Sequence, residues 1–160
     1  MSPKPDADLF SFETSWRTRF TEIDLQGVVH HSEIIKYLEI ARIEYWRQTG
    51  IGYKELRQAG YEFVVANVEC DYLKPLLFDK IIQAKARVCR CSRASMTFEY
   101  LIYDDNNKLA VHATTLLVCV KIGEDKPHAL PAVYLRRIVD FEKPGSIEIK
   151  IRKQGDIADG

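Results

Sequence analysis

The spacing of apolar residues changes along the chain and predicts two kinds of element near its start. Residues 11–21 alternate aromatic or Thr side chains with Glu, Ser and Arg, and this period of two predicts a half-buried strand. After a loop at residues 22–31, apolar positions recur every three or four residues over 32–49, which predicts a long amphipathic helix. Its apolar stripe comprises Ile34, Leu38, Ala41 and Tyr45, widened by Ile35, Tyr37 and Trp46.

The ends of this helix carry recognisable stop signals. Ser32 is a residue type that caps helix N-termini, and Gly50 fits a C-terminal stop. A short second helix is predicted at residues 53–59, ending at Gly60.

Beyond this point the period is two again, so the rest of the domain is predicted to be mainly strands. Short turns between consecutive strands imply antiparallel pairing. The turn at residues 104–108, Asp-Asp-Asn-Asn-Lys, is a strong hairpin signal, and Arg93-Ala94 marks a second turn. Residues 131–139 are expected to form a short helix or an irregular cover. The four strands are predicted at 63–73, 80–91, 95–104 and 109–122.

One long helix beside an antiparallel sheet predicts an α+β architecture with the sheet wrapped on the helix. Residues 1–11 are expected to be loose, 12–142 to form the domain, and 143–160 to be a polar, mobile tail. One helix does not cover both faces of so broad a sheet. A second copy of the chain is therefore expected at the other face or at an edge.

Composition narrows the class of protein. With 160 residues, 46% of them hydrophobic, the chain fits one domain with a sizeable core. Its net charge of +0 argues against a nucleic-acid-binding or anionic-membrane surface. The N-terminus has no apolar signal region, and no apolar run is long enough for a transmembrane segment. The four cysteines form no CxxC pair, so reduced thiols and a cytoplasmic location are expected.

The predicted loop before the long helix is the best candidate for chemistry. Asp24 supplies a carboxylate, and Gly27 lets the backbone turn and approach a ligand closely. The helix N-terminus offers free N–H groups and a positive dipole end for an oxyanion. A carboxylate near such donors suits acyl transfer, although a structural turn carboxylate fits the same pattern.

The stretch R-x-x-x-x-D-x-x-G-V-V-x-H, followed by E-x-A-R, resembles the signature of the hotdog-fold acyl-CoA thioesterases. Within them it is most similar to the 4-hydroxybenzoyl-CoA thioesterase family, including the small enzymes associated with the Tol–Pal system. The resemblance continues through Cys-Asp-Tyr-Leu-Lys-Pro at residues 70–75 and Phe-Asp-Lys at 78–80. It covers roughly residues 13–140.

The resemblance implies a hydrolase for acyl-CoA thioesters in which Asp24 is the catalytic nucleophile or general base. The backbone N–H of His31 polarises the thioester carbonyl, and the peptide at Gly27 shapes the loop. His30 borders the acyl pocket, and Arg93 matches a region that contacts coenzyme A phosphates. No metal or bound cofactor is implied, and the active site lies between subunits of a homodimer or homotetramer.

Other functions remain open at this point. The family places Ala or Gly after the catalytic Asp where this chain has Leu25-Gln26, so no acyl group is carried over from a relative. A non-catalytic acyl-CoA sensor and an acyl-carrier-protein thioesterase are alternatives. A hotdog dehydratase fits less well, because its His base pairs with an acid on the central helix. His30 and His31 lack a third residue at metal-ligand spacing.

Overall fold

The protein is described by a computed structural model that covers residues 5–150. The described part contains six strands, three α-helices and two short 3₁₀ turns. The strands are β1 (Phe12–Arg17), β2 (Tyr61–Tyr72), β3 (Ile81–Ser92), β4 (Ser95–Tyr103), β5 (Leu109–Lys121) and β6 (Glu148–Lys150). The helices are α1 (His31–Gln48), α2 (Tyr53–Gln58) and α3 (Ala132–Phe141). The predicted order of strand, long helix and four strands is confirmed.

The strands form one sheet in the order β1-β3-β4-β5-β2. All pairs along this path are antiparallel. The short turns predicted this for β3–β4 and β4–β5, whereas β1–β3 and β2–β5 join strands that are distant in the sequence. In the turn between β4 and β5, Asn107 takes a left-handed φ of 56°. The Asp104 carboxylate accepts hydrogen bonds there from the backbone N–H groups of Asn106 and Lys108, at 3.0 and 2.7 Å. β2 lies at one edge, and no described strand pairs with its outer side.

The core lies between α1 and the inner face of the sheet. Tyr45 on α1 is fully buried, and its ring meets the ring of Phe98 on β4 edge-on, with centroids 5.0 Å apart. Trp46 stacks on Phe63 of β2 at 5.6 Å. Ile35, which the sequence analysis placed in the apolar stripe, is 37% exposed because it lies about 100° around the helix from Ile34.

β1 ends four residues before its predicted end. The Thr18 hydroxyl donates a hydrogen bond to the backbone oxygen of Leu77 at 2.6 Å, and a 3₁₀ turn follows at Phe20–Glu22. Of residues 131–139, predicted to form a short helix or an irregular cover, Pro131 is the N-cap of α3 and the rest belong to that helix. No helix in the described range is long and apolar enough to cross a membrane.

Both terminal segments are more ordered than expected where the structure describes them. Phe10 is buried, and the guanidinium of Arg87 lies 5.3 Å from the centre of its ring. In the segment assigned to a mobile tail, β6 pairs in parallel with β3, with Glu148 opposite Arg90. A strand of three residues is too short to show a period in the sequence. Residues 1–4 and 151–160 lie outside the described range, and the domain limits 12–142 stay a prediction.

Candidate active site

The loop that carries Asp24 is a closed turn. Its base is an antiparallel bridge between Ile23 and Val29. The Asp24 N–H donates to the Val28 carbonyl at 2.9 Å, and the Gly27 N–H donates to the Asp24 carbonyl at 3.0 Å. Gly27 has a φ of +79°, and a Cβ added there would meet nothing within 4 Å. The glycine is therefore needed for its backbone conformation, and the neighbouring residues of this chain do not crowd it.

The carboxylate of Asp24 is fixed through one of its two oxygens. Oδ1 accepts hydrogen bonds from the backbone N–H groups of Gln26 at 2.8 Å and Val28 at 3.3 Å. Oδ2 makes no hydrogen bond to any residue that the structure describes. The side chain is half-buried. The loop thus orients the carboxylate and leaves one oxygen for a bound molecule.

Helix α1 begins one residue earlier than predicted, and its N-cap is His30 rather than Ser32. The Nδ1 atom of His30 accepts a hydrogen bond from the Ser32 N–H at 3.2 Å and lies 2.8 Å from the Ser32 hydroxyl. Ser32 is thus one of the helical residues whose N–H needs a partner. His31 is the first helical residue, and its N–H has no acceptor among residues 5–150. This N–H lies at the positive end of the helix dipole.

Asp24 and His31 together line two adjoining grooves. The first is open and is otherwise formed by Ile23, Leu25, Gln26 and His30. The second runs toward β2 and β5, with its walls formed by Val28, Val29, Ile34, Tyr72, Pro75, Leu76 and Val111, and with Gln26 and Lys74 beside them. The predicted residues Asp24, His30 and His31 therefore come together, with Gly27 in the same turn. The Asp24 carboxylate and the start of α1 thus lie next to apolar side chains.

Tyr72 also belongs to this site, although the sequence analysis did not name it as a site residue. Its side chain is 50% exposed at the second groove, and its hydroxyl donates to the His31 carbonyl at 3.3 Å. Burial is the largest cause that raises the pKa of Tyr72 to about 12, so the phenol remains a donor at neutral pH. The signal in the sequence that could have identified it is the Cys-Asp-Tyr-Leu-Lys-Pro stretch that carries part of the resemblance.

Arg93 does not reach the site within its own chain. It is exposed in the turn that follows β3. The Asp24 loop contacts the residues before the other end of that strand, since the Val29 N–H donates to the Leu76 carbonyl at 2.8 Å. Between the two ends run the 12 residues of β3, roughly 35 Å at full extension. Arg93 thus lies at the far end of β3 from the Asp24 loop, and its contact with coenzyme A phosphates stays a prediction.

Metal-ligand clusters and reactive thiols are two further kinds of site that the described residues could form. Within residues 5–150, no three His, Cys, Asp or Glu side chains are grouped as metal ligands would be. All four cysteines are free. Burial raises the pKa of Cys89 to about 11 and that of Cys91 to about 12, which keeps both as thiols at neutral pH.

Residues 18–138 match the thioesterase-like superfamily. A putative esterase from Aquifex aeolicus is 37% identical over 108 residues, which is 68% of this chain and 84% of that protein. The acyl-CoA thioester hydrolase YbgC of Escherichia coli O157:H7 is 29% identical over 72% of this chain and 86% of its own.

Solved structures agree with this assignment. A thioesterase from Thermus thermophilus, crystallised with coenzyme A and Zn, superposes with a TM-score of 0.75 and 29% identity, covering 86% of this chain and 98% of that one. The α+β hotdog fold implied by the sequence is thereby confirmed. The family match spans most of the chain and includes the Asp24 loop, α1 and all four long strands. This chain belongs to the thioesterase-like superfamily.

Proposed function

We propose that this protein hydrolyses an acyl-CoA thioester to the free acid and coenzyme A. The observation that carries the proposal is that Asp24 and His31 both line the same two grooves. One carboxylate oxygen and one helix N–H are left without partners in the described chain, beside an apolar wall. The names of the relatives from Escherichia coli and Thermus thermophilus support the same chemistry.

In the general-base route, Asp24 takes a proton from water, and the resulting hydroxide attacks the thioester carbonyl carbon. The oxygen of the tetrahedral intermediate accepts a hydrogen bond from the His31 N–H. The carbon–sulfur bond then breaks, and the coenzyme A thiolate takes up the proton. In the nucleophilic route, an Asp24 oxygen attacks first and forms a mixed anhydride, which water hydrolyses after the thiolate leaves.

The side chain of His31 is assigned only an assisting role, because the backbone N–H supplies the oxyanion contact. Its ring lies 4.1 Å from that of His30 and 6.5 Å from that of Tyr72, between centroids. His30 borders the first groove, Tyr72 borders the second, and His31 borders both. Coenzyme A is part of the substrate, and the reaction as written uses no metal or further cofactor. Activity that persists after dialysis against EDTA is the expected result.

We further propose that the active protein is a homodimer or homotetramer. β2 has a free outer edge within the described sheet, and it exposes 42% of Val64 and 49% of Val65. Edge pairing with a second copy would satisfy its backbone groups. Sedimentation should show a species of at least two chains, and Val65→Lys should shift it toward the monomer.

If Arg93 contacts coenzyme A phosphates, a neighbouring subunit must supply it. Arg93→Ala should then raise KM for an acyl-CoA about tenfold at unchanged kcat. KM for the matching acyl-pantetheine, which lacks the nucleotide phosphates, should not change. Equal effects on both substrates, or none on either, would remove Arg93 from the site.

The direct test of the proposed function is a hydrolysis screen with the purified full chain. Short-chain, long-chain and aromatic acyl-CoAs are offered, and free thiol is measured. Turnover of at least one class supports the proposal and defines the acyl preference. Binding without turnover would instead favour an acyl-CoA sensor, and turnover of acyl-carrier-protein substrates alone would favour the carrier-protein alternative.

A further inference from the structure

A second carboxylate lies two residues before Asp24, and the mechanism above does not use it. Glu22 is only 8% exposed. Its Oε2 accepts hydrogen bonds from the Tyr37 hydroxyl at 2.5 Å and from the Arg19 backbone N–H at 2.7 Å. A buried carboxylate with these two donors is well satisfied, which makes it a fixed point in the loop.

The main chain of Glu22 is tied to the helix start as well. Its carbonyl accepts a hydrogen bond from the His30 N–H at 2.8 Å. The residue is thus joined to α1 at two places, namely the N-cap through its backbone and Tyr37 through its side chain. Two attachments to one rigid helix fix both the position and the direction of the chain that enters the Asp24 turn.

Tyr37 is itself held firmly. It is 1% exposed, and its ring meets the Trp16 ring of β1 edge-on at 5.3 Å. It lies six residues after His31, roughly 9 Å along the helix axis. Desolvation, followed by the neighbouring Glu22, raises the pKa of Tyr37 well above its ordinary value, so its hydroxyl stays protonated and donates. The pair therefore links the loop to a buried point of α1.

The two groups of the proposed reaction sit on the two pieces that this pair joins. Asp24 belongs to the loop, whereas the His31 N–H belongs to the helix. We propose that Glu22 and Tyr37 are positioning residues that hold the Asp24 carboxylate in register with the His31 N–H. This inference rests on the proposed thioester hydrolysis. It adds that the hydrogen bond between Tyr37 and Glu22 fixes the position of the Asp24 carboxylate relative to the His31 N–H.

The chain offers a matched control on the same helix. Tyr45 is also buried, and its hydroxyl donates to another buried carboxylate, that of Glu142, at 2.6 Å. Glu142 does not line either groove at Asp24. Tyr37→Phe and Tyr45→Phe each remove one hydroxyl donor from a buried carboxylate, but only the first touches the loop.

The test compares kcat, KM and urea unfolding for both variants with the best acyl-CoA from the screen. We expect Tyr37→Phe to lower kcat about tenfold or more with KM within about twofold. Tyr45→Phe should lose comparable stability and keep kcat within about twofold. Equal losses of kcat in both variants, or an unchanged kcat in Tyr37→Phe, would overturn the positioning role.

Glu22 provides a second pair of variants. Glu22→Gln keeps an acceptor for Tyr37 and should retain kcat within about threefold, whereas Glu22→Ala should lose about tenfold or more. Equal kcat values for Gln and Ala would contradict the role of the hydrogen bond. Wild-type protein without turnover of any acyl-CoA would reject the proposed function and this inference together. An active wild type with unaffected Tyr37 and Glu22 variants rejects the inference alone.

Discussion

The Glu142 carboxylate accepts a hydrogen bond from the Tyr45 hydroxyl at 2.6 Å, across 97 residues of sequence. The same carboxylate accepts from the Val88 backbone N–H at 2.7 Å and from the Ser11 hydroxyl at 3.1 Å. Glu142 is 4% exposed and follows the end of α3. One side chain therefore joins α1, β3, the N-terminal segment and α3.

This carboxylate should make stability depend on pH in a defined direction. Desolvation raises the pKa of Glu142 above its ordinary value of 4.5, although its hydrogen bonds oppose the shift. The folded protein therefore binds this proton more tightly than the unfolded chain does. The contribution is fully present below the unfolded pKa and is lost as pH rises through the raised folded pKa.

Comparison with Glu142→Gln isolates this group, because glutamine does not titrate. Urea unfolding of both proteins between about pH 4 and pH 8 gives the difference in their free energies of unfolding. We expect the wild type to lose stability relative to Glu142→Gln as pH rises. A relative gain with rising pH would contradict the assignment.

His30 caps α1, so its replacement should cost stability. His30→Ala should lower the free energy of unfolding by about 1 kcal/mol, because the Ser32 N–H loses its acceptor. His30→Asn, which restores a capping side chain, should recover most of that loss. Ser32→Ala is the matched control and should cost less than His30→Ala in urea unfolding. The reverse order would restore Ser32 as the cap.

Gly27 and Gly123 allow strain to be separated from function. Both have a left-handed φ, +79° and +84°, and an added Cβ meets nothing within 4 Å at either position. Gly27→Ala and Gly123→Ala should each cost about 1–2 kcal/mol in unfolding free energy. Only Gly27→Ala should lower kcat, by about tenfold, because only its turn carries Asp24. Equal kcat values in the two variants would show that the loop conformation is not limiting.

The long elements were predictable because each repeats its apolar period several times. α1 and the strands β2 to β5 are found within two residues of their predicted limits at either end. β6 was not predicted, because Glu148–Lys150 is one short, exposed segment that depends on β3 for its hydrogen bonds. The exposure of Ile35 could not be predicted either, because it depends on which side of α1 faces the sheet in the folded protein.

The part of the site whose residues are close together in the sequence could be predicted. Asp24, Gly27 and the helix start lie within eight consecutive residues, so the loop could be recognised from its order alone. The contacts that support it are not local, since Tyr37 reaches Glu22 across 15 residues and Tyr72 reaches His31 across 41. The sequence also did not show that Arg93 lies at the far end of β3 from the loop, because a strand pattern does not say which of its ends lies beside the loop.

The central claim is that the Asp24 carboxylate carries out thioester hydrolysis. Asp24→Asn keeps an oxygen that can accept the two loop N–H groups, and it removes the charge needed to attack or to activate water. Asp104→Asn is a close control, because its Oδ1 also accepts from the N–H groups two and four residues ahead.

The decisive measurement is steady-state acyl-CoA turnover by wild type, Asp24→Asn and Asp104→Asn, with urea unfolding of each. We expect Asp24→Asn to lose about a hundredfold or more in kcat at nearly unchanged stability, and Asp104→Asn to keep wild-type kcat. A folded Asp24→Asn protein with wild-type turnover would contradict the account.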